Sequence, residues 1–268
     1  MPELPEVDAV CRIARRALLG RRIMAATVCR ARICEPDSPR DLILALLGRR
    51  CRRVERLGKN ILVLLDDACL RIHLRMTGNL YPIASPARRP PTAVAAFELD
   101  DGSGLVFDDP RGLGVLRLLL PHQLERLLAS IGLDPLLPEF TVERFAALAR
   151  RSRAAVKTFL MDQRRVAGLG NIYAAEALHR AGIDPRRRAC RLSRARLSRL
   201  HRAIVGVLQR AVGSAARAYR RPGQFAEGEY FRLAVYGREG KPCPRCRRPI
   251  RRLPQGGRSS YFCPGCQK

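Results

Sequence analysis

The tail of this 268-residue chain reads CPRC RRPIRRLPQGGRSSYF CPGC, setting Cys243, Cys246, Cys263 and Cys266 in a C-x2-C-x16-C-x2-C frame. Each C-x2-C turn lets two thiolates converge on one ion, and two such turns complete a tetrahedron closed to water. The frame points to one structural Zn2+ with no open position for chemistry. Two disulfides are the alternative, and they need an oxidising compartment. The first 20 residues carry acids where an export signal carries bases and an apolar run, so a cytoplasmic address is expected. Cys11, Cys29, Cys34, Cys51, Cys69 and Cys190 are scattered and read as free thiols. Between the paired cysteines, IRRL and SYF flank PQGGR. That is the pattern of a β-hairpin closed at its base by metal, with Arg258 turned outward.

Charge narrows the partner. The chain has 51 Lys+Arg against 24 Asp+Glu, a formal net of +27. Residues 1–134 hold 21 bases and 16 acids, whereas 135–268 hold 30 bases and 8 acids. Only four of the bases are lysine, so an arginine-rich composition contributes to the total, but it does not explain the asymmetry. A surface this basic in one half is matched most simply to nucleic acid. Nothing suggests a membrane-spanning helix, because apolar runs such as ILVLL at 61–65 fall far short of the ~20 residues a bilayer requires.

At 47% hydrophobic, the chain can bury one or two cores. From 22 to 119 it is mostly strand-like, in RIMAATV, CRRVERL, ILVLLD, CLRIHLR, AAFELDD and LVFDD, with DDGSG as a hairpin turn. One helix interrupts, opened by Ser38, Pro39 and Asp41. An opening helix is expected from Pro5 at its first position, with Val7, Val10, Cys11, Ala14 and Leu18 at helical spacing until Gly20. IGLDPLLPEF at 131–140 carries three breakers and reads as a linker. Helices are expected over 141–150, over 153–162 after Ser152, over 171–181 ending at Gly182, and over 194–212 ending at Gly213. Between the second and third of these lies VAGLGNIYAAEAL. Its glycines and the helix opened by Asn171 can turn backbone N–H groups toward a phosphate. The fold class is α+β: an N-terminal β-sandwich domain with flanking helices (1–132), a helical DNA-binding domain (133–230) and a zinc hairpin (231–268). Monomer is expected, since no apolar surface stripe calls for a partner.

MPELPEV, GKNILVLL, HLRMTGNL, DDPRGLG, KTFLMDQRRVAGLGNIYAAEALHRAGIDP, VYGR and the four-cysteine tail, in unbroken order from Met1 to Lys268, resemble formamidopyrimidine-DNA glycosylase. That bacterial base-excision family removes oxidised purines such as 8-oxoguanine. The resemblance implies a β-sandwich, a helix-two-turn-helix domain and a zinc hairpin, with damaged duplex DNA in the cleft between domains. It also implies that Met1 is removed and that the Pro2 nitrogen attacks C1′ of the damaged nucleoside, leaving an iminium and then cutting the strand by β,δ-elimination. A neutral amine is needed, and an α-amino group is roughly 10% neutral at pH 7 against about 0.04% for a lysine. Glu3 favours the protonated amine, so it needs another purpose. The family implies general acid/base work on the sugar ring oxygen, with Glu6 supporting it.

Further positions follow from the same motifs. Lys59, His73, Asn171, Tyr236 and Arg258 match phosphate contacts, which position DNA without reading sequence. Met76, Arg111 and Leu113 match the trio that fills the void left by an extruded base. Here the chain departs from the pattern, with DPRGLG where DPRRFG is common. Leu113 can still wedge but cannot stack as a ring, which bears on damage search and opposite-base preference. The loop 214–230, SAARAYRRPGQFAEGEY, is polar and Gly-rich enough for a lid. Two other readings are open: an endonuclease VIII type glycosylase for oxidised pyrimidines, and a non-catalytic zinc-ribbon DNA-binding protein.

Overall fold

The computed structural model describes residues 2–219 and 230–268, and they fall into two compact units. The first holds the described residues up to Ala129 together with 215–219; the second holds Ser130–Ser214 and the described residues after 229.

In the first unit, α1 (Leu4–Leu18) and α2 (Pro39–Leu46) accompany eight strands. These are β1 (Ile23–Val28), β2 (Arg53–Leu57), β3 (Asn60–Leu64), β4 (Cys69–His73), β5 (Asn79–Ile83), β6 (Ala93–Leu99), β7 (Gly104–Asp108) and β8 (Val115–Leu119). They make two antiparallel sheets, β1-β6-β7-β5 and β2-β3-β4-β8. Inner strands β3, β6 and β7 are almost continuously buried, as expected where both faces are covered. The open edges are managed by helices. α1 packs against β2 and β5, and α2 against β1 and β8, so each edge strand has a helix beside it. The expected stripe of α1 is buried at Val7, Val10, Cys11, Ala14 and Leu18, while Arg12, Arg15 and Arg16 face outward.

Several expectations need correction. α1 begins at Leu4 with Glu3 as N-cap, which puts Pro5 at the second helical position. β5 and β8 are additional strands; both are edges, where Pro82 costs no ladder bond that a central strand would need. β4 stops at His73, and Arg75 takes φ 54° in the turn that follows. α3 (Pro121–Ser130) is a further helix, whose Leu124 and Leu127 pack on Leu62, Cys69 and Leu119.

The second unit contains α4 (Val142–Arg150), α5 (Val156–Met161), α6 (Asn171–Ala181), α7 (Arg194–Ala218, its last turn assigned to the first unit) and a hairpin of β9 (Arg251–Gln255) and β10 (Arg258–Phe262). Ser152 does not cap α5. That helix starts at Val156, and its first N–H groups donate to the carbonyls of Arg187 and Pro185, so chain packing replaces a side-chain cap. α6 ends as expected at Gly182, whose φ is 69°. α7 does not stop at Gly213. Gly213 is not left-handed, the following AARA favours helix, and Ala215 is fully buried. Residues 214–218 are therefore helical, and 220–229 of the expected lid lie outside the described residues. The hairpin turn is only Gly256–Gly257, with φ 56° and 70°, so Pro254, Gln255 and Arg258 belong to the strands. Two left-handed central residues are what a tight hairpin of this hand requires.

Gly132 and Leu133 run beside the Gly-rich loop: Gly132 N–H donates to Gln163 O, and Ala167 N–H to Leu133 O. A Cβ on Gly132 would lie 2.4 Å from the Arg165 carbonyl carbon, and backbone cannot swing away as a side-chain tip can. Gly132→Ala is expected to destabilise the protein by about 1–3 kcal/mol. In mid-α7, by contrast, the nearest atom to a Cβ on Gly206 is 3.7 Å away, so Gly206→Ala is expected to stabilise by up to ~1 kcal/mol. Urea midpoints of the two variants check the opposite signs.

Candidate active site

The start of α1 is a closed carboxylate arrangement. Glu3 N–H donates to Glu6 Oε2 at 2.8 Å, and the Glu3 carboxylate accepts from the Glu6 backbone N–H. Glu3 is 1% exposed, Glu6 0%, and Pro2 is buried beside them. Two buried acids are tolerated here because the helix N-terminus offers unpaired N–H groups and the positive end of its dipole. Burial, and after it the charge of Glu6, pushes the Tyr219 phenol up. Tyr219 therefore stays a neutral O–H.

Lys59 sits in the two-residue turn between β2 and β3, after Gly58 with φ 58°. Arg56 bridges Asp8 of α1 at 3.5 Å and donates to Gly58 O at 3.3 Å, which ties this turn to the opening helix. In the adjoining strand His73 pairs across from Asn60, the residue after Lys59. Arg75 N–H donates to His73 Nδ1 at 3.0 Å, leaving Nε2 as the nitrogen that carries the proton. Burial first, then Arg75, Arg71 and Lys59, lower the His73 pKa to about 3. A neutral imidazole with its N–H donor on Nε2 suits a phosphate oxygen.

The other residues of this unit are gathered by Asp109, which is 0% exposed. Its Oδ2 accepts from Gly114 N–H at 2.7 Å and its Oδ1 from the Thr77 hydroxyl. One carboxylate thus clasps the 74–78 turn to the 109–114 loop. Met76 and Leu113 consequently line the same groove of about 560 Å³, with Arg32, Arg71, Arg75 and Arg117 around them. Arg111 is exposed on the loop. Glycine suits position 112 because its φ is 60°, and Arg30 Nη1 stands 2.5 Å from where a Cβ would lie. The guanidinium of Arg30, donating to Pro110 O at 3.4 Å, occupies the space a side chain would take.

In the second unit α6 is the organiser. Asn171 opens it behind Gly170 as N-cap, and its buried Oδ1 has no partner among the described residues. Gln163 shapes the preceding loop by accepting from Gly168 N–H at 2.9 Å and donating to the carbonyls of Met161 and Leu169. Glu176, midway along α6, accepts from the N–H groups of Ala234, Val235 and Tyr236 at 2.8, 2.9 and 2.9 Å. Tyr236 then packs edge-on against Tyr261 of β10, ring centres 5.2 Å apart. Arg258, exposed, leads β10 out of the turn. Lys157, 2% exposed, holds that strand by donating to Ser259 O at 2.9 Å and Ser260 Oγ at 2.7 Å.

The sulfurs of Cys243, Cys246, Cys263 and Cys266 all lie within 4.8 Å of one another. Two of the separations are 3.8 Å (Cys243–Cys266) and 3.3 Å (Cys246–Cys263). A zinc–sulfur bond of about 2.3 Å implies a tetrahedron edge near 3.8 Å, so the donor set fits one Zn2+. Four thiolates leave it closed, a node that fixes the hairpin base and supplies no reactive position.

Comparison with known proteins agrees with this anatomy. Three family models match in succession: the formamidopyrimidine-DNA glycosylase N-terminal domain over residues 1–116, its H2TH domain over 131–221, and the zinc finger found in FPG and IleRS over 240–268. The formamidopyrimidine-DNA glycosylase of Syntrophotalea carbinolica is 41% identical, with both chains fully covered. Lactococcus lactis FPG in complex with Fapy-dG-containing DNA superposes with a TM-score of 0.89 at 30% identity, covering 99% of this chain and 100% of that one. MutM in complex with carbocyclic 8-oxo-G-containing DNA gives 0.90 at 31% identity, with both chains fully covered. The class defined by fold and comparison is that of a zinc-finger DNA-repair glycosylase. Within it, this chain belongs to the formamidopyrimidine-DNA glycosylase family.

Asp109, Gln163, Lys157 and Glu176 were not singled out from the sequence. For Glu176 a signal existed, a lone acid on a helix whose neighbours Ala174, Ala175, Ala177 and Leu178 are all apolar; the structure buries every one of them. For Lys157 the partners, Ser259 and Ser260, lie in a segment whose approach the sequence does not reveal, whereas Gln163 bonds only to residues within six positions of itself. Because burial keeps His73 neutral, its ring resonances in the free protein are expected to show no inflection from pH 8 to about 5. NMR titration checks this, and a midpoint near the ordinary 6.5 contradicts it. The sign for stability follows: the unfolded chain binds this proton below about 6.5 and the folded one does not until about 3, so His73 makes stability fall as pH drops through that window.

Proposed function

We propose that this protein is a bifunctional DNA glycosylase and abasic-site lyase that excises 8-oxoguanine and formamidopyrimidines from duplex DNA with Pro2 as nucleophile. The observation that carries the reading is the carboxylate-closed start of α1, where Glu3 and Glu6 are locked to each other's backbone beside a buried Pro2. An ordinary helix start does not need two buried acids and a proline before its cap. Once Met1 is removed, the secondary amine attacks C1′, the glycosidic bond breaks as the base takes its electron pair, and the proton shed by the nitrogen balances the one the departing base takes up. The ring then opens as Glu3 delivers a proton to its oxygen, and the nitrogen lone pair completes an iminium. Glu6 fixes the Glu3 backbone and so the place from which that proton is given. The iminium withdraws electrons: loss of the C2′ proton expels the 3′ phosphate, and loss of the C4′ proton from the resulting conjugated iminium then expels the 5′ phosphate.

Lys59, His73, Asn171, Tyr236 and Arg258 serve as phosphate contacts in this reading, and Met76, Arg111 and Leu113 fill the void. The neutral donor geometry of His73 and the groove shared by Met76 and Leu113 support those roles. So does the charge, +27 overall and concentrated in the second half. The working organisation is an N-terminal catalytic domain to 132, a helix-two-turn-helix domain to 230 and a zinc hairpin beyond. No helix among the described residues is long and apolar enough to cross a membrane; a monomer working on the nucleoid in the cytoplasm fits the substrate.

Borohydride is expected to trap a covalent complex of the mature protein with 8-oxoguanine·cytosine duplex, and the complex is expected to vanish when additional residues precede Pro2. Undiminished trapping by the extended protein rules out the Pro2 mechanism. Excision of thymine glycol but not 8-oxoguanine points instead to the endonuclease VIII type. Arg258→Ala is expected to weaken binding to all sequences alike and to reduce the salt slope by about one. Binding measured from low to moderate salt checks it, and an unchanged slope removes Arg258 from the phosphate set.

A further inference from the structure

We infer that His179 on α6 is an outer-shell donor of the zinc centre, its imidazole N–H hydrogen-bonding the Cys243 thiolate. His179 Nε2 lies 3.5 Å from Cys243 Sγ. Both residues are buried, at 3% and 0% exposure, so water does not compete for the contact. The four sulfurs already form a complete set, and His179 stands outside it as a neighbour of one ligand. A metal-bound thiolate has no proton to give, so the proton of this contact sits on Nε2.

The contact is part of a clasp on the end of α6. Arg245, inside the first C-x2-C turn, donates through its side chain to His179 O at 3.0 Å and to Arg180 O at 3.1 Å. Its backbone N–H also reaches Cys243 Sγ at 3.4 Å. From the second C-x2-C turn, Gln267 donates to Ile183 O at 2.8 Å and accepts from Cys263 N–H at 2.8 Å. Lys268 N–H reaches Gly182 O at 3.2 Å. Both turns therefore grip the same few residues where α6 stops.

Zinc held by four thiolates carries excess negative charge, and it is lost most readily when one sulfur takes up a proton. An N–H aimed at that sulfur spreads the charge and makes the thiolate a poorer base. His179 thereby slows metal release and links metal retention to the helix whose Glu176 holds the segment bearing Tyr236.

Zinc release from the purified zinc-loaded protein to 4-(2-pyridylazo)resorcinol tests this. His179→Phe keeps an aromatic ring but removes the donor, and release is expected to accelerate about tenfold or more. His179→Gln retains an N–H and is expected to recover most of the slow release. In the cobalt(II)-substituted proteins the sulfur-to-metal charge-transfer band is expected to move to lower energy in His179→Phe and less in His179→Gln. Wild-type release with an unmoved band in His179→Phe overturns the inference, as does His179→Gln releasing as fast as His179→Phe. The 15N NMR signals of the wild-type zinc-loaded protein give a reading free of any substitution: a protonated Nε2 supports the bond and an unprotonated Nε2 overturns it.

Discussion

A carboxylate taken out of water must be surrounded by donors, and in this protein that requirement is met largely by backbone N–H groups of the segments that bear the proposed site residues. Glu176 collects three of them, from residues 234–236. Asp109 collects Gly114 N–H and the Thr77 hydroxyl. Glu6 collects Glu3 N–H at the head of α1. Hydrogen bonds to a charged group contribute about 1.5–3 kcal/mol each, and leaving such a group unpaired costs more. Each acid therefore has one acceptable loop conformation around it, and the loop inherits a rigidity that its own sequence does not supply.

The arrangement explains how the proposed contact positions, although on turns, are tied to the rest of the fold. Met76 and Leu113 come from different loops but share one groove because Asp109 joins the loops. Lys59 sits in a two-residue turn that Arg56 secures to α1 through Asp8. In the second unit a buried cation plays the matching part, with Lys157 gripping the strand that begins at Arg258. The sheets behind these devices have a helix beside each edge strand.

Metal and helix serve one another at the far end of α6. The zinc turns supply donors for the orphan carbonyls at the helix C-terminus, a need every helix has. The helix in return places His179 against Cys243. A ribbon of this size has too little core to hold itself, which is why a closed four-thiolate site and a neighbouring helix share the task.

Much was legible in the chain itself. Two C-x2-C turns fix a tetrahedral donor set by local geometry, and the nearly unbroken apolar runs of β3, β6 and β7 mark strands covered on both faces. Gly182 ends a helix because a left-handed residue is needed there, and the ordered motifs from MPELPEV to the cysteine tail fix the family. These are short-range patterns, each set by residues within a few positions of one another. What the sequence left undecided depends on distant partners: that α5 would borrow carbonyls from 185–187 in place of a Ser152 cap, that α7 would run through Gly213, that β5 and β8 would exist as edges, and that Asp109, Lys157 and Glu176 would bind segments as much as 103 residues away. A buried charge is satisfied by whichever backbone the fold brings to it, and only the tertiary structure decides which backbone that is.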